Sequence, residues 1–166
     1  VAAQETRNKR VGIIGTVGTV GSGIHASYLK ELDPEITVIG KACPLFVPLV
    51  EEGWWDNAIT KAVAAEYLQP VAASGADTLI LGCTHYPLLI PAIRSVLGDS
   101  IHLVNSARAV ADEVHLRLQN LNLLRRNHHG KISFYTSDSA EKFASLGSIF
   151  LGQTLEDVSK IDIEAF

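Results

Sequence analysis

The sequence predicts an α/β fold built on a mainly parallel sheet, and three observations carry that reading. Short apolar runs alternate with longer helical stretches along the chain, as successive β-α units require. Two of the helical stretches stop at a glycine, Gly75 and Gly98, the residue suited to the left-handed turn that ends a helix. The chain is 166 residues long and 47% hydrophobic, enough for one sizeable core or for a domain with an appendage.

The elements follow in order. The opening "VAAQETRNKR" reads as the tail of a helix, and with no methionine in the chain Val1 is not a natural start. A fragment, a processed chain or a piece of something longer is expected. "VGIIG" (11–15) is a buried strand running into a glycine-rich turn. "GSGIHASYLKEL" is a helix whose apolar face carries Ile24, Tyr28 and Leu32 at four-residue spacing. "ITVIGKAC" (36–43) is a second strand, and "PLFVPLVEEG" a short helical or irregular connector with early-turn prolines at 44 and 48.

Residues 56–74 form a long amphipathic helix, and "DTLILGC" is the third strand. "YPLLIPAIRSVLG" is helical again. "IHLVNS" is a fourth strand, after which Ser106 is expected to cap the helix "ARAVADEVHLRLQNLNLL". "RRNHHG" (125–130) is a polar break and the expected linker between a first region, 1–124, and a last one, 131–166. That last region reads as a strand, a helix and a short strand. It joins the same sheet or belongs to a sheet whose other strands lie elsewhere.

Composition removes several function classes. A formal charge of −4 with no basic stripe disfavours nucleic acid and anionic membrane as partners. No apolar stretch reaches the roughly 18–20 residues of a membrane span, and no signal peptide opens the chain. Two cysteines are too few for a disulfide scaffold, so a cytoplasmic setting is expected.

Ligands of parallel α/β sheets gather at the carboxyl ends of strands. Three such ends carry small, polar or reactive residues: "GTVGTVGSG" (15–23), "KAC" (41–43) and "GCTH" (82–85). The first lacks the Gly-Lys-Ser/Thr of a phosphate loop, and no acidic residue ends the next strand to hold a ribose. It offers backbone N–H groups and the hydroxyls of Thr16, Thr19 and Ser22, either as a seat for an anion or as a simple capped turn.

Cys83 follows Gly82 and precedes Thr84 and His85, at the expected entrance to a helix. A helix N-terminus and a nearby imidazole both favour a thiolate; the alternative is an inert core thiol. Cys83 and His85 alone fall two ligands short of a zinc site. Cys43, followed by a proline and an apolar connector, is expected to be a buried structural thiol. Glu51 and Glu52 are a solvated pair at a helix end, or supply a carboxylate that orients an imidazole. His128 and His129 read as linker residues, and His25, His102 and His115 form no constellation.

"LILGCTHYPLL" (79–89) closely resembles the second-cysteine motif of bacterial glutamate racemases. "VGIIGTVGTVGSGIHASYL", "ACPLFVPLVEEG" and "ISFYTSDSAEKFASLGSIFLG" are similar to further segments of that family in the same order, so the resemblance runs from about Arg10 to Gly152. It implies the three-layer domain of the aspartate/glutamate racemases, with the last β-α unit completing a first domain. It also implies cofactor-independent interconversion of L- and D-glutamate by two opposed cysteines, for peptidoglycan synthesis and cell-wall shape. By resemblance Cys83 is the thiol that deprotonates L-glutamate, His85 assists it, and Glu51 is the acidic residue near that imidazole, with Glu52 close in register. Thr16, Thr19 and Thr84 match positions that hold substrate. The expected partner is glutamate, with a homodimer allowed and no metal.

The departures are as informative. The family is longer at its N-terminus, where it carries an Asp-Ser motif, a Tyr-Gly turn and its first catalytic cysteine in a Cys-Asn-Thr string. The segment that carries these motifs in the family has no counterpart in this sequence, so this chain alone is expected to be inactive. Asn105 stands where the family often has Asp. The alternatives are a non-catalytic glutamate-binding α/β domain, or an aspartate or hydantoin racemase; the His85-Tyr86 pair argues against the latter two.

Overall fold

The computed structural model describes residues 1–125 and 130–165, and it divides into two units, Val1–Leu123 and Leu124–Phe166. His128 and His129, and most of the expected linker, lie outside the described residues.

In the first unit the apolar runs become four parallel strands: β1 (Arg10–Gly15), β2 (Thr37–Ala42), β3 (Thr78–Leu81) and β4 (His102–Asn105). Their order is β2-β1-β3-β4. α1 (Ala2–Glu5) precedes the sheet, α2 (Val17–Gly21), α3 (Ile24–Leu32), α4 (Phe46–Glu51), α5 (Ala58–Ala73) and α6 (Ile90–Leu97) fill the crossovers, and α7 (Ser106–Asn120) follows β4. A single 3-10 turn, Tyr86–Leu89, precedes α6.

Alternation along the strands sends side chains into two cores. Ile14, Leu79 and Leu81 pack with Phe46 and Val50 of α4, Leu68 and Val71 of α5 and Ile93 of α6. On the opposite face Val11, Ile13, Ile80 and Val104 pack with Ala2 of α1 and Leu29 of α3. The result is three layers. After β1 the chain crosses to one side of the sheet, and after β3 to the other. The loops leaving these two neighbours therefore diverge and open a crevice at their carboxyl ends.

Local details differ from the sequence expectations in four places. Part of the glycine-rich turn is helical, as α2, with Thr16 as its N-cap. Gly23, at φ 65°, then resets the direction of α3. The stripe Ile24, Tyr28 and Leu32 consequently faces outward, 67%, 60% and 58% exposed, while Leu29 is buried. Spacing defined an apolar stripe, but the turn before the helix decides which side meets the sheet. The long helix begins at Ala58 rather than Asp56, because the Asn57 side chain accepts from the Thr60 N–H at 2.9 Å and fixes the first turn. Finally, α7 is capped by Asn105, which accepts from the backbone N–H groups of Ala107 and Arg108 at 3.0 and 3.3 Å. Ser106 instead donates to the Leu81 carbonyl at 3.0 Å. Asn and Asp cap helices about equally well, which accounts for Asn at this position.

The second unit is one β-α-β crossover. β5 (Phe134–Thr136) and β6 (Val158–Lys160) pair in parallel across α8 (Ala140–Leu151). They form a two-stranded sheet of their own. Ser139 caps α8 by accepting from the Lys142 N–H at 3.1 Å. Ile132, Tyr135 and Ile163 remain exposed. Among the described residues no helix is long and apolar enough to cross a membrane.

Candidate active site

The crevice between β1 and β3 is where the reactive residues converge. As β3 ends, the Gly82 N–H donates to the Ile14 carbonyl at 2.8 Å, keeping the chain flush against β1. A Cβ on Gly82 would itself lie 2.8 Å from that oxygen, so only glycine fits. Cys83, Thr84 and His85 form the turn that follows, closed by the Tyr86 N–H donating to the Cys83 carbonyl at 3.2 Å.

Within this turn Cys83 is half-buried, and its Sγ lies 3.9 Å from Nδ1 of His85. The Thr84 hydroxyl is 3.4 Å from the same nitrogen. On the far side of the ring, Nε2 lies 3.5 Å from Oε1 of Glu51, the last residue of α4. Thiol, imidazole and carboxylate thus form one line, with the His85 and Glu51 side chains 24% and 33% exposed. Glu52 occupies the C-cap of α4, so Glu51 is the member of the pair brought to the ring. The helix expected right after Cys83 is only the 3-10 turn, with α6 starting at Ile90.

The threonine turn lies alongside. Thr16 Oγ1 accepts from the Thr19 N–H at 3.2 Å, and the two hydroxyls are 2.9 Å apart. The Thr19 methyl sits where a Cβ on Gly82 would be 3.4 Å away, so the two strand-end turns touch. A cavity of about 550 Å³ opens beside Cys83, lined also by Thr84, His25, Asn105, Ser106 and Val110. Thr16, Thr19, His85 and Glu51 do not line it, so the relay and this cavity approach the thiol through different neighbours. His25, which formed no constellation in sequence, reaches the cavity because Gly23 redirects α3. Its Nδ1 is buried without a hydrogen-bond partner, and no local pattern marks it out.

Cys43 is a different kind of thiol. It is fully buried in the core of α4, α5 and α6, its Sγ donating to the Lys41 carbonyl at 3.6 Å. Burial pushes it up to about 12, against a smaller opposing pull from the Lys41 charge. Among the described residues no group of three or more His, Cys, Asp or Glu could hold a metal ion.

Comparison with known proteins follows this geometry. The profile of the Asp/Glu/Hydantoin racemase family matches residues 1–114. A glutamate racemase of Geobacter metallireducens is 44% identical over 99% of this chain and 61% of its own length. One of Syntrophus aciditrophicus is also 44% identical, over 98% of this chain and 60% of its own length. Among solved structures, a glutamate racemase isoform of Bacillus anthracis superposes with a TM-score of 0.91 at 35% identity, covering 98% of this chain and 60% of that one. A Francisella tularensis glutamate racemase in complex with D-glutamate gives 0.88 at 30% identity, over 95% and 59%. The chain spans about three fifths of the length of the relatives it matches.

Proposed function

The chain belongs to the Asp/Glu/Hydantoin racemase family, and on that premise we propose that it carries one half of a glutamate racemase site. The observation that supports this best is the line Cys83–His85–Glu51, with contacts of 3.9 and 3.5 Å, at the crevice between β1 and β3. In this reading the Cys83 thiolate removes the α-proton of L-glutamate, and His85, held by Glu51, assists it. Thr84 with the Thr16–Thr19 turn holds the substrate's carboxylate and amino groups. An amino-acid α-proton is far less acidic than a thiol. The developing carbanion therefore needs hydroxyl and N–H donors on the carboxylate.

Inversion needs a second acid on the opposite face of the α-carbon. Cys43 is unsuited to that part, being buried and held protonated far above neutral pH. The opposing group has to be supplied from outside these residues, so the 166-residue chain alone does not racemise glutamate. The wider reading is D-glutamate supply for peptidoglycan in the cytoplasm.

A chimera tests this. The chain replaces the matching part of the Geobacter metallireducens relative, and L-to-D conversion is followed by circular dichroism. Conversion is expected in the chimera, with a severe loss in its Cys83→Ser form and none in the isolated chain. Normal turnover in the Cys83→Ser chimera removes the catalytic role of Cys83. Sustained turnover by the isolated chain overturns the half-site.

A further inference from the structure

The relay joins two separate segments, the turn after β3 and the C-terminal end of α4. A 3.5 Å contact between partly exposed groups is too weak to hold a six-residue helix in place. We infer that Tyr86 is the positioning residue of the relay, gripping the Cys43 carbonyl with its hydroxyl and Phe46 with its ring edge. This inference rests on the proposed role of Cys83, His85 and Glu51.

Tyr86 follows His85 directly in the chain and is fully buried. Its hydroxyl donates to the Cys43 carbonyl at 2.9 Å. Its ring meets Phe46 edge to face, centroids 5.2 Å apart at 86°. Phe46 is the first residue of α4 and Glu51 the last, so a grip on Phe46 sets where Glu51 ends up. Phe46 also meets Tyr67 edge to face, at 5.4 Å and 76°. At the other end of α4, Trp55 Nε1 donates to the Val50 carbonyl at 3.0 Å.

A buried phenol without an acceptor carries a desolvation penalty, so the Cys43 carbonyl fixes Tyr86 as firmly as the packing does. Burial, with Cys43, Cys83 and Tyr67 nearby, pushes the phenol above its ordinary value and keeps it a donor. Cys83 on its own turn and Glu51 from α4 are titratable groups that face His85.

The test is the pH profile of Cys83 alkylation by iodoacetamide in the full 166-residue chain, for the parent, Tyr86→Phe, Glu51→Gln and the double variant. Tyr86→Phe keeps the ring and removes only the hydroxyl. It is expected to displace the profile to higher pH, slowing the reaction about threefold at neutral pH and leaving the alkaline plateau unchanged. Glu51→Gln shifts the midpoint the same way, and the double variant matches Glu51→Gln alone because both act through one contact. A shift in Glu51→Gln but none in Tyr86→Phe overturns the positioning role and leaves the relay intact. No shift in Glu51→Gln overturns the relay and the positioning role together. If Tyr86→Phe does not fold, Phe46→Leu takes its place: it removes the ring contact and keeps the hydroxyl grip. An unchanged profile there overturns the inference.

Discussion

Replacing Gly82 with alanine should cost stability and thiol reactivity together. The added methyl lies 2.8 Å from the Ile14 carbonyl oxygen, 3.4 Å from the Thr19 methyl and 3.8 Å from Ile13 Cγ2. Carbon-to-oxygen approaches settle near 3.3 Å or beyond, so the start of the Cys83 turn must move by about 0.5 Å. It cannot do so freely, because the Gly82 N–H is bonded to that same oxygen at 2.8 Å. Overpacking of this kind costs about 1–3 kcal/mol, against a gain of about 0.4–1 kcal/mol from a less flexible unfolded chain. The net loss is about 1–2 kcal/mol, which lowers the melting point of a unit this size by about 3–10 °C. Both tryptophans, Trp54 and Trp55, lie in the first unit, so their fluorescence reports its unfolding.

Gly12→Ala is the control. Its methyl would crowd two core side chains, Val71 Cγ1 at 2.9 Å and Leu79 Cδ1 at 3.0 Å, and meet backbone only at an ordinary 3.7 Å, the Thr78 carbonyl oxygen. It should destabilise without changing alkylation of Cys83. Gly82→Ala should slow alkylation as well, since the Sγ–Nδ1 contact at 3.9 Å has no slack to lose. The reasoning fails if Gly82→Ala melts with the parent, or if Gly12→Ala slows alkylation as much.

Two more outcomes follow from the thiols and from Asp77. In the native chain a thiol reagent at pH 8 should label one cysteine, Cys83, and after denaturation two; two labels in the native state would contradict the burial of Cys43. Burial alone would raise the Asp77 carboxyl, but donors from Thr6, Asn8, Arg7 and Thr78 outweigh it and hold the group below the usual carboxylate range. Its stabilisation is therefore present above the ordinary carboxylate pKa and disappears as pH falls through the depressed one. Asp77→Asn should lower the melting point at neutral pH and flatten its fall in acid, and an unchanged acid limb would refute this.

What was legible in the sequence was local. β1 and β3 are continuous apolar runs, and Gly75 and Gly98 end helices at φ 69° and 72°, so run and stop are written within a few residues. The Cys83–Thr84–His85 turn was legible too, since its members are adjacent. Orientation was not. The side of α3 that meets the sheet depends on Gly23 and α2, and the cap of α7 moved by one residue to Asn105. Choosing Glu51 over Glu52 turns on about 100° of helix rotation, which no local pattern sets. Tyr86 was legible only as half of the His85-Tyr86 pair, because the carbonyl its hydroxyl meets belongs to Cys43, 43 residues earlier.

The sheet order explains why these pieces add up to a one-sided site. The loops after β1 and β3 diverge, so the threonine turn and the cysteine turn meet only at their roots, through Thr19 and Gly82. In the proposed half-site, donors for a carboxylate and a base for an α-proton are thus set side by side, approaching a substrate from one direction. A planar carbanion returns to its starting configuration when the proton comes back from that same direction. Inversion therefore requires a second donor facing this crevice, and Cys43, the other thiol of the chain, lies within the core under α4 instead. The same helix that buries Cys43 carries Glu51 to His85. In the proposed reading, the packing that withholds one cysteine from chemistry is what equips the other for it.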